Sequence, residues 1–159
     1  MRVGIGYDIH RLEEDRELVL GGVQIPFESG LAGHSDADVL VHSICDALLG
    51  ALALGDLGQH FPDTDAQYSG ISSLILLDKV KSLIENRGFA VNNIDTVIIA
   101  QKPKLASFIP VMRDNIAETL GIDVECVGIK ATTTERLGSI GQGKGIAAEA
   151  IVSVTPVDL

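Results

Sequence analysis

Asp8 and His10 stand two residues apart in a segment that reads as a strand, Arg2-Val3-Gly4-Ile5-Gly6-Tyr7-Asp8-Ile9-His10. Strand side chains alternate between faces, so this carboxylate and imidazole project to the same side. A second histidine, His42, lies in an apolar helical run. If that helix packs on the strand, the three groups form an open Zn²⁺ site of His₂-carboxylate type with one position left for water or substrate. The competing reading is plain: an Asp-x-His match arises often by chance, and a histidine on an apolar helix is commonly a satisfied core residue. Asp38 and Asp46 flank His42 at four residues on either side, where either could orient its second ring nitrogen or simply face solvent. Cys45, one turn from His42, fits best as a small buried core residue.

A second cluster could handle phosphate. Thr132-Thr133-Thr134-Glu135 precedes glycines at 138, 141, 143 and 145. Thr132 and Glu135 have capping-box spacing, but the glycines would limit any helix to one turn. The alternative is a cradle in which hydroxyls and N–H groups meet phosphoryl oxygens and Glu135 reaches a hard cation such as Mg²⁺. The segment is neither a P-loop nor a dinucleotide fingerprint.

The elements that must position these groups follow from periodicity. Glu17–Leu20 and Val23–Ile25 flank Gly21-Gly22, a hairpin signal. Ser35 with Asp38 reads as a capping box opening a helix of about 18 residues, with Val39, Leu40, Ile44, Leu48 and Leu52 as its apolar positions. Residues 59–70 read as a loop and a lid. A second helix is expected over Ile71–Arg87 and a third over Ala106–Leu120, with Pro110 in its first turn and Gly121 at its end. Thr96–Ala100, Val124–Lys130 and Ile146–Val154 read as strands. Strands alternating with helices imply an α/β or α+β sheet with helices packed on it.

Composition bounds the function. The chain has 159 residues, the length of a single domain (1–159), and 46% hydrophobic residues. Its net charge of −10 opposes sequence-independent nucleic-acid binding, which requires cationic neutralisation of phosphates. No uncharged apolar run suits a membrane span, and the start enters a strand with no signal-peptide pattern, so the expected location is the cytoplasm. Two cysteines cannot make a disulfide framework.

Several motifs occur together in order: Gly6-Tyr7-Asp8-Ile9-His10, Gly33-His34-Ser35-Asp36, Asp46-Ala47-Leu48-Leu49-Gly50, Gly55-Asp56, Phe61-Pro62-Asp63-Thr64-Asp65, Ile99-Ala100-Gln101 and Lys130-Ala131-Thr132-Thr133-Thr134-Glu135. In this the chain resembles the 2-C-methyl-D-erythritol 2,4-cyclodiphosphate synthase family of non-mevalonate isoprenoid biosynthesis. The resemblance implies a phosphorus–oxygen lyase that cyclises 4-diphosphocytidyl-2-C-methyl-D-erythritol 2-phosphate with loss of CMP. It implies Asp8, His10 and His42 as ligands of one Zn²⁺ per subunit, with Ile9 beside them at the substrate. His34 and Ser35 would contact substrate phosphate, His34 steadying charge in the transition state. Asp56, Leu57, Gly58, Phe61, Pro62, Asp63, Thr64 and Asp65 would line the methylerythritol pocket. Ala100, Gln101, Lys102, Pro103, Lys104, Leu105 and Ala106 would form the cytidine pocket of a neighbouring subunit.

Ala131, Thr132, Thr133, Thr134 and Glu135 would clamp the diphosphate, Thr133 at the reacting phosphate and Glu135 on Mg²⁺ or Mn²⁺, with Ser139 and Gln142 nearby. The implied assembly is a homotrimer of mixed sheets packed about a three-fold axis, helices on one face, active sites between subunits. The resemblance implies an axis at which a prenyl diphosphate can bind; here Gln142 stands where many members carry a basic residue, which counts against that ligand, and Tyr7 stands where phenylalanine is more usual.

Overall fold

The computed structural model describes residues 1–157. In chain order the elements are β1 (Arg2–Glu14), β2 (Leu18–Leu20), β3 (Val23–Ile25), β4 (Ser29–Leu31), α1 (Val39–Ala51) and α2 (Leu57–His60). After these come α3 (Ser73–Glu85), β5 (Phe89–Ile99), α4 (Ile109–Leu120), β6 (Val127–Thr132), α5 (Gly138–Gly141) and β7 (Gly145–Pro156). Among the described residues, five strands form a mixed sheet in the order β4-β1-β7-β5-β6, with β5 and β6 parallel and the other pairs antiparallel. The hairpin β2–β3 stands apart, turning through Gly21 (φ 58°) and Gly22 (φ 70°). Two successive positive φ values are what a tight two-residue hairpin turn demands and glycine supplies.

Register explains how one face of the sheet became core. Gly4, Val152, Ile94 and Val127 lie in one row across β1, β7, β5 and β6, and Gly6, Ala150, Thr96 and Ile129 in the next. All of them are buried. The helices cover this face, α1 lying over β1 and β7. The opposite face carries Val3, Ile5, Tyr7, Ile9 and Ile151, each 48–64% exposed.

The seating of α1 depends on Gly4 and Gly6. A Cβ on Gly4 would overlap the Ala47 carbonyl, and one on Gly6 the Ser43 carbonyl. The helix backbone therefore rests on a strip of β1 that has no side chains, one residue pair before Asp8 and His10. Interiors are close-packed, and a backbone atom cannot rotate away as a side-chain tip can.

The start of α1 differs from the expected capping box. The helix has 13 residues, and its N-cap is Asp38, which accepts from Val41 N at 3.1 Å. Ala37 at φ 55° is left-handed, so no helix can run through it from Ser35. The Ser35 hydroxyl accepts instead from Ala37 N at 3.2 Å. Asp38 is fully buried and also accepts from Gly21 N (3.0 Å) and Gly22 N (2.8 Å), tying the hairpin tip to the helix entry. Burial pushes its carboxyl up to about 6, against the pull of those N–H donors.

Other boundaries also moved. The helix expected over Ile71–Arg87 is Ser73–Glu85, and the one over Ala106–Leu120 begins at Ile109 while keeping Pro110 in its first turn and a left-handed Gly121 at its end. Val124–Cys126 forms a 3₁₀ turn, so β6 starts at Val127 and runs through Thr132. That placement removes Thr132 as a helix cap. Residues 59–70, expected as loop, contain the end of α2 and a 3₁₀ turn at Ala66–Tyr68. The strands β4 and the four-residue α5 had no distinguishing pattern in the sequence.

Gly6→Ala is expected to destabilise the protein by about 2–3 kcal/mol in urea unfolding, the upper range for overpacking against an immovable neighbour. Gly50→Ala, whose Cβ would meet only Ile5 O at 3.8 Å inside a helix, should be neutral or stabilising by up to about 1 kcal/mol. Equal midpoints for wild type and Gly6→Ala would refute the close-approach account.

Candidate metal centre and adjoining cavities

Asp8 and His10 emerge from β1 on the helix-covered side, and α1 brings His42 onto them. His10 Nε2 lies 2.9 Å from Asp8 Oδ2, His42 Nδ1 lies 3.1 Å from the same oxygen, and the two ring nitrogens are 3.3 Å apart. These three groups each offer one ligand atom to a common point. Two ring nitrogens facing each other are poor mutual partners, but with the carboxylate oxygen they make a good donor set. Ligand atoms about 2.0–2.1 Å from a tetrahedral Zn²⁺ stand roughly 3.3 Å from one another, close to the separations found.

The tautomers also fit. His10 Nδ1 is 2.6 Å from Ala32 O and donates to it, which leaves the Nε2 lone pair facing the cluster. His42 Nε2 meets Ser73 Oγ at 2.9 Å and Ser35 Oγ at 3.2 Å. Neither carboxylate that sequence spacing offered for this role, Asp38 or Asp46, hydrogen-bonds the His42 ring. Asp38 is committed to the N-cap, and Asp46 Oδ1 accepts from Leu57 N at 2.7 Å, anchoring α2. Cys45 is fully buried in the core, away from the cluster, and burial raises its thiol well above its ordinary value.

Electrostatics follow from the crowding. In the ion-free protein burial opposes ionisation of Asp8, but its hydrogen bonds with His10 and His42, and their charges, outweigh it and hold the carboxyl far below its usual range; an ion would take the place of the protons those bonds share. The bond to Asp8 raises His10 above its ordinary value despite partial burial.

The cluster opens onto a cavity of about 230 Å³ lined by His10, His42, Gly33, His34, Ser35, Leu57, Phe61, Asp63, Tyr68 and Leu76. His34 is held there by Nε2 against Asp65 O at 3.1 Å. Asp56 caps α2 through Gln59 N at 2.9 Å, and Asp65 caps the following 3₁₀ turn through Gln67 N at 3.0 Å. Gly58, Pro62 and Thr64 belong to the same loop but do not line the cavity. Ile9 points to the opposite face of the sheet, 48% exposed.

The remaining site residues from the sequence gather elsewhere. Ala100 N donates to Thr132 O at 2.9 Å, joining the ends of β5 and β6. Arg136 N donates to Gln101 Oε1 at 3.1 Å, and Thr133 Oγ1 accepts from Glu135 N at 3.2 Å. Glu135 (φ 52°) and Arg136 (φ 64°) are consecutive left-handed residues, a conformation costly for side chains other than glycine and common at ligand sites. Gln101, Lys102, Arg136 and Gln142 line a cavity of about 480 Å³. Lys102–Pro103 is cis, Leu105 is core, and Lys104 and Ala106 lie in the same exposed turn. Ser139 instead lines a 630 Å³ hollow with His10, Arg11 and Lys144.

Asp8, Ala148, Ile98 and Ala131 occupy one row across the sheet. The metal-type cluster on β1 and the threonine–glutamate segment after β6 are thus three strand spacings apart, roughly 14 Å. One chain carries these two groups at separate places on the sheet.

A model of the YgbB family matches residues 1–155. The chain belongs to the YgbB family. It is 65% identical over 154 residues to 2-C-methyl-D-erythritol 2,4-cyclodiphosphate synthase of Alkaliphilus metalliredigens, covering 97% of each chain. Among solved structures, it superposes with TM-score 0.95 and 44% identity on the bifunctional IspDF of Campylobacter jejuni, over 99% of this chain but 42% of that longer one. A CDP-bound 2C-methyl-D-erythritol-2,4-cyclodiphosphate synthase aligns with TM-score 0.89 at 35% identity, covering 97% of this chain and all of the other.

Sequence reasoning missed Ser73, Tyr68 and Leu76. Ser73 is 31 residues from His42 and carries no local signal of their contact. Because His10 must lose its proton to ligate, a cation and a proton compete at the cluster. Zn²⁺ affinity by chelator competition should therefore rise with pH from 6 to 8, by up to tenfold per unit while His10 titrates. A flat profile would contradict the raised His10 value.

Proposed function

We propose that this chain is a 2-C-methyl-D-erythritol 2,4-cyclodiphosphate synthase, a lyase of the non-mevalonate isoprenoid pathway. The observation that carries the reading is the Asp8/His10/His42 cluster opening onto the cavity with His34, Ser35 and Asp63. Its support in kinship is the set of cyclodiphosphate synthases about 60% identical over nearly the whole chain.

In the reaction, an oxygen of the substrate's 2-phosphate forms a bond to the β-phosphorus of its CDP group. The bond from that phosphorus to the CMP oxygen breaks, and CMP leaves. The nucleophile is already anionic, so no strong protein base is needed. Asp8, His10 and His42 would hold Zn²⁺, and Glu135 would hold Mg²⁺ or Mn²⁺; ions held there would neutralise charge on the phosphoryl groups. His34 and Ser35 orient the phosphate from the cavity wall. Leu57, Phe61 and Asp63 receive the methylerythritol portion and exclude water, which would otherwise compete with ring closure. Thr133 meets the reacting phosphate, and the turn Ala100–Ala106 takes the cytidine, as suits a family that includes a CDP-bound member.

These roles need both halves of the site at one substrate, which a homotrimer with active sites between subunits supplies. Two features support that assembly. The halves lie on opposite sides of one sheet's width, and the uncovered sheet face presents Val3, Ile5, Tyr7, Ile9 and Ile151, an apolar surface suited to burial about a shared axis.

Phosphorus NMR of the products tests the reading: a cyclic diphosphate and CMP are expected, and release of inorganic phosphate would point instead to a hydrolase. Glu135→Gln should lower CMP release at saturating Mg²⁺ by on the order of 10²–10³-fold, the scale of losing one transition-state charge contact. Undiminished release would remove Glu135 from the mechanism.

A further inference from the structure

The contact that sequence reasoning missed has a chemical direction. Ser73, the first residue of α3, places Oγ 2.9 Å from His42 Nε2. The same hydroxyl donates to Asp36 Oδ1, while Ser73 N donates to Asp36 Oδ2 at 3.0 Å. Asp36 also accepts from Asp38 N at 3.2 Å. A carboxylate only accepts, so the serine proton is committed to Asp36. The one proton left for the Ser73–His42 contact is on His42 Nε2. Its Nδ1 lone pair then faces Asp8 and His10.

We propose that Ser73 and Asp36 are positioning residues that hold His42 as the Nε2–H tautomer, turning its Nδ1 toward the ion shared with Asp8 and His10. This rests on the reading of those three residues as an ion site. The arrangement complements His10, whose Nδ1 is fixed by a carbonyl oxygen, Ala32 O. Here the carboxylate acts through a hydroxyl, and the hydroxyl belongs to a different helix from the ligand. The relay thereby couples the entry of α3 to the orientation of a group on α1. Ser35 Oγ is the longer neighbour of the same His42 Nε2, at 3.2 Å, and it also accepts from Ala37 N.

Partners behind a metal-bound imidazole change affinity by about 10–100-fold when removed. Ser73→Ala should weaken Zn²⁺ binding to the metal-free protein by that factor in chelator competition. Asp36→Asn should do the same, because its amide N–H₂ must face either the Ser73 N–H or the Ser73 hydroxyl and reverses or breaks the relay. Ser73→Thr, which keeps the hydroxyl, should lose clearly less affinity than Ser73→Ala. In the zinc-loaded wild type, the His42 Nε2–H proton should be visible by NMR and protected from exchange, and it should be lost to exchange in Ser73→Ala.

Wild-type affinity in a folded Ser73→Ala protein, or equal losses in the alanine and threonine variants, would overturn the relay. So would an unprotected Nε2–H in the wild type, a measurement that needs no variant to fold. Failure of the ion-site reading looks different: wild type would take up no Zn²⁺, or His42→Ala would hold it as tightly, and the relay would fall with it.

Discussion

The absence of side chains at Gly4 and Gly6 governs this molecule. It lets the backbone of α1 lie directly on β1, with the Ala47 and Ser43 carbonyls in the space a Cβ would fill. His42 precedes Ser43, and Asp8 and His10 continue the strand face on which the glycines sit. The close approach and the cluster are therefore one feature. A side chain on either glycine must lift the helix, and lifting the helix withdraws an imidazole from a constellation whose atoms lie 2.9–3.3 Å apart. Helix stability comes mainly from packing of its apolar face, and α1 has an almost entirely buried one. The same burial that stabilises the fold fixes the donor atoms.

Around that anchor the chain distributes its chemistry in two places. The β1–α1 side carries the imidazole–carboxylate cluster and the cavity reached by His34, Ser35 and Asp63. The ends of β5 and β6 carry hydroxyls, Glu135 and a strained backbone turn. On the sheet these two places stand three strand positions apart, and in the proposed intramolecular phosphoryl transfer, which must hold two anionic groups in line, a second chain would complete each site. In that proposal an acidic protein handles a highly charged substrate through cations, for which Asp8, His10 and His42 offer one set of ligand atoms.

Half of the cluster was legible because its geometry is local: a two-residue step on a strand sets Asp8 and His10 on one face. His42 was a candidate by residue type, and its contact with them depends on α1 packing on β1, across more than 30 residues of sequence. The fold class followed from alternating strands and helices, and the Gly21-Gly22 hairpin from turn chemistry. What the sequence concealed depended on distant contacts or on backbone conformation. Ser35 and Asp38 satisfy a capping-box pattern, yet the left-handed Ala37 moves the cap to Asp38. Asp46 has the right spacing to serve His42, yet it is drawn off by Leu57 N. Ser73 supports His42 from another helix, through a contact no periodicity encodes. The glycine seat was not legible in the sequence, since what lies above Gly4 and Gly6 is a tertiary fact.

The central claim is that a helix seated on this strand delivers His42 to Asp8 and His10 around one divalent ion. Zinc K-edge X-ray absorption on the purified, zinc-loaded protein tests it most directly. The account predicts a first shell of nitrogen and oxygen at about 2.0–2.1 Å, with the multiple-scattering signature of two imidazoles. A sulfur ligand near 2.3 Å, which would bring Cys45 or Cys126 into the site, or a shell with no imidazole scattering, would contradict it.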